Sequence, residues 1–189
     1  MGHRLSHIYT RTGDAGTTGL ADGSRLSKDS ARIELLGELD DLNARIGILC
    51  SVTREESIAD CLKEIQHLLF DLGGDLSIPG RSSIRAEHVT WLESWMDYHN
   101  DQMPPLKEFI LPGGGPASCF AHLARTGCRN AERRAVHLNQ AEKIDPLILS
   151  FLNRLSDFLF VIARVFARAD GQEQLWDPSR EAPAPPVPR

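Results

Sequence analysis

The stretch D-P-L-I-L-S-F-L-N-R-L-S-D-F-L-F-V-I-A-R, Asp145 to Arg164, decides how the rest of the chain is read. Leu147, Phe151, Leu152, Leu155, Phe158, Leu159, Ile162 and, just beyond, Phe166 recur in steps of three and four, the period of one helix face. Asp145 is a cap for the first free backbone N–H groups, and Pro146 suits a first helical turn, where its missing donor costs nothing. The spacing therefore predicts a long apolar helix. Asn153 and Asp157 stand four residues apart inside it, and buried polar groups must find partners. They are expected either to bond a neighbouring helix or to touch a ligand.

Working outward, four more stretches carry the same period. Leu35, Leu39, Leu42, Ile46 and Leu49 form a stripe within residues 30–52. Thr53-Arg-Glu-Glu56 fits a capping box, which opens a second helix with Ile58, Cys61, Leu62, Ile65, Leu68, Leu69 and Leu72 on its inner face. Gly73-Gly74 is expected to loosen its end. A weaker pattern covers residues 85–102 (Val89, Leu92, Trp95, Met96, His99) and stops at Pro104-Pro105. Leu111-Pro-Gly-Gly-Gly-Pro116 is a turn that starts a fourth helix running to about Asn139. No stretch sustains period-two alternation, so the expected fold is all-α, a five-helix bundle with an irregular N-terminal loop. Residues 1–171 are read as one domain and 172–189 as a proline-rich tail, where Glu181-Ala-Pro-Ala-Pro-Pro-Val-Pro-Arg189 favours an extended conformation.

Composition narrows the partners. The 189 residues are 41% hydrophobic and 25% charged, with a net charge of -5, which argues against nucleic acid or an anionic membrane as ligand. No unbroken apolar run approaches the roughly 18–20 residues that span a bilayer, and the start lacks the apolar segment of a secretory signal. Cys50, Cys61, Cys119 and Cys128 show no C-x-x-C spacing and sit in apolar helical patterns, which points to buried free thiols in a reducing compartment, most simply the cytoplasm. Of 21 basic residues 17 are arginine, the residue suited to forked recognition of phosphate or carboxylate.

Two segments have the chemistry of an anion site. In T-R-T-G-D-A-G-T-T-G-L, Thr10 to Leu20, glycines bring backbone N–H groups close to an anion, while threonine hydroxyls, Arg11 and the later Lys28 add donors. It is not a Walker A loop, because G-K-[ST] is absent. By composition alone the same stretch also fits an ordinary surface loop. In A-R-T-G-C-R-N-A-E-R-R, Ala124 to Arg134, the residues Arg125, Arg129, Glu132 and Arg133 share one helix face. Glu132 is placed to orient Arg129, and a polyphosphate would neutralise the remainder. A solvated face of intrahelical pairs has the same pattern. Glu64-Ile-Gln-His67 is a single Glu-x-x-His, whereas a two-metal carboxylate centre in a bundle uses two.

The strings I-Y-T-R-T-G-D-A-G-T-T-G-L, R-L-S-K-D, G-E-L-D-D-L-N, F-I-L-P-G-G, A-R-T-G-C-R-N-A-E-R-R and F-L-N-R-L-S-D-F-L-F-V-I-A-R occur in this order between Ile8 and Arg164. Together they resemble the ATP:cob(I)alamin adenosyltransferases of the propanediol-utilisation type. The resemblance, covering about Ile8–Arg168, implies a homotrimer of ferritin-like up-down bundles with active sites between subunits. It implies transfer of the 5′-deoxyadenosyl group of ATP to the cobalt of reduced cobalamin, with Mg²⁺ on the released triphosphate and a cobalamin-dependent mutase as a possible recipient of product. Carried over by position, ATP would be bound by Thr10, Arg11, Thr12, Gly13, Thr18, Gly19 and Lys28. Arg129, Asn130, Ala131, Glu132, Arg133 and Asn153 would complete that site, with Arg129 catalytic. Phe109 would press against the corrin and displace its lower ligand, and Asp40 would pair with Arg125 across the interface. Ala15 stands where the family commonly has Lys, and Asn130 where it commonly has Arg. A corrinoid carrier or nucleotide sensor on the same bundle, and a ferritin-like metal protein, are the rival readings.

Overall fold

A computed structural model describes residue 9, residues 11–78 and residues 80–185. Five helices make up the body: α1 (Ala31–Val52), α2 (Glu56–Ser77), α3 (Ala86–Asn100), α4 (Pro116–Ala141) and α5 (Pro146–Ala169). Before them, β1 (Thr17–Gly19) and β2 (Arg25–Ser27) form a small antiparallel hairpin pairing Thr18 with Leu26. The N-terminal segment is therefore a hairpin rather than wholly irregular. The connections at 53–55 and 142–145 are too short for anything but antiparallel neighbours.

Helix α5 is the centre of the core. Phe151, Leu152, Leu155, Phe158, Leu159 and Ile162 are all fully buried, and Asp145 caps the helix by accepting from the Leu147 N–H at 2.9 Å. Averaged over an 18-residue window, α5 is long and apolar enough to cross a bilayer, although no unbroken run of that length exists in it. Here it packs against α3 and α4 instead. Helix α4 meets both α5 and α1. Its buried stripe of Ala121, Ala124, Cys128, Ala131 and Ala135 is small enough for three helices to approach closely. Gly127 extends that stripe, since a Cβ there would lie 2.9 Å from Cδ of Arg45 on α1.

Several local expectations are corrected. Thr53 does not open α2: its hydroxyl donates back to the Leu49 carbonyl at 2.8 Å, closing α1, and α2 starts at Glu56 without a side-chain cap. Gly73-Gly74 does not end α2, which continues to Ser77. Gly74 instead makes room for the Arg81 guanidinium, which pairs with Asp71 at 2.6 Å and Asp75 at 3.5 Å. Cys119 is exposed, whereas Cys61 and Cys128 are buried and their thiols are pushed up by burial, that of Cys61 to about 12.

The chain after Gly171 is extended but tied down. Leu111 N–H donates to the Gln174 carbonyl at 2.9 Å, and Trp176 N–H donates to the Phe109 carbonyl at 2.7 Å. Glu173 receives Arg164 at 2.9 Å and Arg168 at 2.6 Å, both from α5.

Candidate functional site

Thr10 lies outside the described residues; the rest of the glycine-threonine segment is built around the hairpin. Arg25 on β2 organises it, donating to the Thr12 carbonyl at 2.6 Å and to the Thr17 hydroxyl at 2.7 Å. The Lys28 N–H donates to the Gly16 carbonyl at 2.9 Å, which folds Lys28 back over the loop. A Cβ on Gly13 would lie 3.1 Å from the Thr17 carbonyl and 3.3 Å from Lys28 Nζ, so glycine allows the ammonium to close onto the backbone. Arg11 adopts φ 57°, a left-handed conformation uncommon for a side-chain-bearing residue, and its guanidinium lies 5.4 Å from the centre of the Tyr9 ring. Arg11, Thr12, Gly19 and Lys28 are exposed, while Gly13 and Thr18 are half-buried. These are donors gathered on one loop around the Arg25 hydrogen bonds.

The α4 segment divides by face. Arg129 and Arg133 are exposed, and the Arg133 guanidinium donates to the Asn130 side-chain oxygen. Ala131 turns inward and is fully buried, so its side chain belongs to the core and not to the arginine face. Glu132 does not orient Arg129; it accepts from Asn153 Nδ2 at 2.9 Å, which links α4 to α5. Asn153 and Asp157 are exposed in the single chain rather than buried, and Asp157 receives Arg154 at 3.1 Å. Arg134 pairs with Glu34 on α1 at 2.9 Å.

Within one chain the two candidate anion-binding groups line different grooves. Thr18, Gly19 and Leu20 border a cleft of about 670 Å³ with Ile33, Leu36 and Asp40 of α1 and Phe70 of α2. Arg133 borders another, about 430 Å³, with Asn130, Arg134 and Glu38, and Asn130 and Arg134 also border one of about 460 Å³ with Glu34, Glu38 and Asp41 of α1. At about 100° per residue, those two sets of α1 side chains face opposite sides of the helix. Asp40 is thus separated from Arg125, and neither makes an ion pair among the described residues.

A third cleft, about 590 Å³, is lined by Leu106–Ile110, His122, Arg125 and Phe160. Phe109 projects from it, 77% exposed on the α3–α4 connection. Arg125 Nε donates to His122 Nδ1 at 3.4 Å, a geometry that leaves the imidazole neutral with its proton on Nε2. Burial, with the Arg125 charge beside it, pushes the His122 pKa down to about 4. The Trp176 ring meets Phe109 edge-on at 6.5 Å. Trp176, Glu173 and Arg164 are the members of this region that sequence reasoning missed. The one signal was a lone arginine, Arg164, inside an apolar helix pattern.

The family model for cobalamin adenosyltransferase matches residues 8–166. A cobalamin adenosyltransferase of Cupriavidus metallidurans is 51% identical, covering 96% of this chain and all of its own. A corrinoid adenosyltransferase of Bacillus subtilis is 44% identical, over 87% of this chain and 88% of its own. Among solved structures, a phenylalanine-to-alanine variant of a PduO-type ATP:corrinoid adenosyltransferase from Lactobacillus reuteri, complexed with cobalamin and ATP, is 36% identical. It superposes with a TM-score of 0.85, covering 90% of this chain and 99% of that one. An arginine-to-lysine variant of the Lactobacillus reuteri enzyme, complexed with ATP, is 37% identical with a TM-score of 0.84, over 90% of this chain and all of that one. The chain belongs to the cobalamin adenosyltransferase family and is a corrinoid adenosyltransferase.

Proposed function

We propose that the hairpin loop and the α4 arginine face, drawn from two copies of the chain, grip the triphosphate of ATP while its 5′-carbon is attacked by the cobalt of reduced cobalamin. The observation that carries this reading is that Thr18 and Gly19 of the loop and Arg133 of α4 border different clefts of one chain. A site that uses both draws on a second subunit, and the trimer that the family resemblance implies supplies one. An Asp40–Arg125 pair between copies fits the same arrangement, because the two residues line separate clefts of one chain.

Cobalt(I) is a strong nucleophile, so the protein need not supply a base. Its work is to hold the 5′-carbon in line with cobalt and to stabilise charge on the departing triphosphate. Arg11, Thr12, Gly13, Thr18, Gly19 and Lys28 form the loop side of the grip. Arg129 and Arg133 form the helix side, with the Glu132–Asn153 bond fixing α4 against α5. As the C–O bond to the triphosphate breaks and the C–Co bond forms, Arg129 in this reading meets the developing negative charge. No cluster of three or more His, Cys, Asp or Glu side chains that could hold a metal occurs among the described residues. Magnesium, bound with ATP, would supply charge neutralisation on the departing triphosphate beside Arg129 and Lys28. The cleft beneath Phe109, with the neutral His122, takes the corrin, and the exposed Phe109 ring occupies the position of the cobalt's lower ligand. The cytoplasm is the compartment this reading assigns.

The products distinguish this chemistry from ordinary phosphoryl transfer. Attack at the 5′-carbon leaves inorganic triphosphate in step with adenosylcobalamin. Appearance of ADP and orthophosphate in its place would mean that the loop activates the γ-phosphate and that the proposed reaction is wrong.

A further inference from the structure

Phe109 has an unusual problem for a ring that must act at one point. It sits on the α3–α4 connection and is 77% exposed, so burial does not fix its direction. Its aromatic neighbour is Trp176, edge-on with centroids 6.5 Å apart and planes at 67°. Trp176 arrives on the far end of the chain, on a segment whose backbone pairs with the Phe109 segment. Ile110 and Leu175 form an antiparallel bridge, flanked by the Leu111–Gln174 and Trp176–Phe109 hydrogen bonds.

That segment is anchored at its start as well. Gln172 N–H donates to the Ala167 carbonyl at 2.7 Å, and Glu173 is held by Arg164 and Arg168. Arg164 is 5% exposed and also donates to the Pro104 carbonyl at 3.1 Å. One buried guanidinium therefore fixes both the beginning of the Phe109 connection and the root of the segment that returns to it. Placing a charge in an apolar helix is costly unless it is fully bonded, and these bonds are what Arg164 obtains there.

We propose that Gln172–Trp176 is a brace and that Trp176 is the positioning residue for Phe109, holding its ring in the orientation that meets the corrin. The inference rests on the corrin-side role assigned to Phe109 above and adds the group that sets its direction. Loss of the brace leaves ATP binding untouched and lowers the fraction of bound cobalamin in which the lower ligand is displaced.

The test compares full-length Trp176→Ala, Trp176→Leu, Trp176→Phe and Phe109→Ala proteins. Steady-state rates are taken with ATP and reduced cobalamin, and absorbance reports four-coordinate cob(II)alamin in the presence of ATP. Trp176→Ala and Trp176→Leu are expected to lower kcat roughly fivefold, the worth of one edge-to-face contact, and to lower the four-coordinate fraction. The KM for ATP stays at the native value, and Trp176→Phe recovers most of both losses. Trp176→Leu keeps apolar bulk, so it decides the matter even where the alanine variant folds poorly. Native kcat and native four-coordinate signal in Trp176→Leu would overturn the brace. So would a loss that phenylalanine does not rescue, or a KM for ATP that rises in step. Native activity in Phe109→Ala would instead remove the assignment of Phe109 itself.

Discussion

Lys28 and Arg129 are both exposed, and neither carries an ion pair among the described residues, so each is available to an incoming triphosphate. Charge-assisted hydrogen bonds of this kind are worth about 1.5–3 kcal/mol. Lys28→Ala and Arg129→Ala are accordingly expected to raise the KM for ATP about tenfold or more, with the thermal midpoint unchanged. Unchanged kinetics in both would place the triphosphate elsewhere. His122 gives a pH signature. Its folded pKa of about 4 lies below the ordinary 6.5, so the unfolded chain takes up the proton first. Its contribution to stability is complete above pH 6.5 and is lost as pH falls through 4. His122→Gln should flatten the fall of the thermal midpoint across that window. At this scale the sequence was informative where chemistry is local: Gly13, Lys28, Arg129 and Arg133 are grouped by spacing along the chain. Ala131 is carried over by the family resemblance, and its rotation around α4 puts its side chain in the core. Trp176 was invisible because its contact is made with a residue 67 positions earlier.

Among the elements, α5 carries the largest share of the core. Phe151→Ala, at a fully buried ring, should destabilise the protein by about 3–5 kcal/mol in urea unfolding, and a loss under about 1 kcal/mol would contradict the central placement of α5. The stripes of α1, α2 and α5 were all legible because three-and-four spacing follows directly from helix geometry. Ends were not. The Thr53 hydroxyl found the Leu49 carbonyl in preference to the N–H groups of α2, and Gly74 serves a guanidinium instead of a helix stop. Both outcomes depend on neighbours that a local pattern does not contain. The tail was read as extended, but its docking comes from two arginines on α5 and from strand-like bonds to the Phe109 segment. Burial raises the Glu173 pKa, but the hydrogen bonds and charges of Arg164 and Arg168 outweigh it and hold the carboxyl below its ordinary value. The attachment is therefore complete above the usual glutamate range near pH 4.3 and is lost as pH falls through the lower folded-state value. Exchange of the Leu111 and Trp176 amide protons against pH would show it.

For the whole molecule, the proposed grip on ATP makes the assembly part of the chemistry. Light scattering should give three times the 21.0 kDa chain mass. A stricter test mixes subunits: Lys28→Ala and Arg129→Ala proteins, each impaired alone, should regain activity when unfolded and refolded together, because some sites then receive an intact loop and an intact helix. Sites built within single chains would show no such recovery. The most direct measurement of the central claim is the product itself. Folded protein is mixed with ATP, Mg²⁺ and chemically reduced cobalamin, and the absorbance of adenosylcobalamin is followed. The account predicts its formation in step with inorganic triphosphate, and a folded assembly that binds both substrates yet forms no adenosylcobalamin would contradict it.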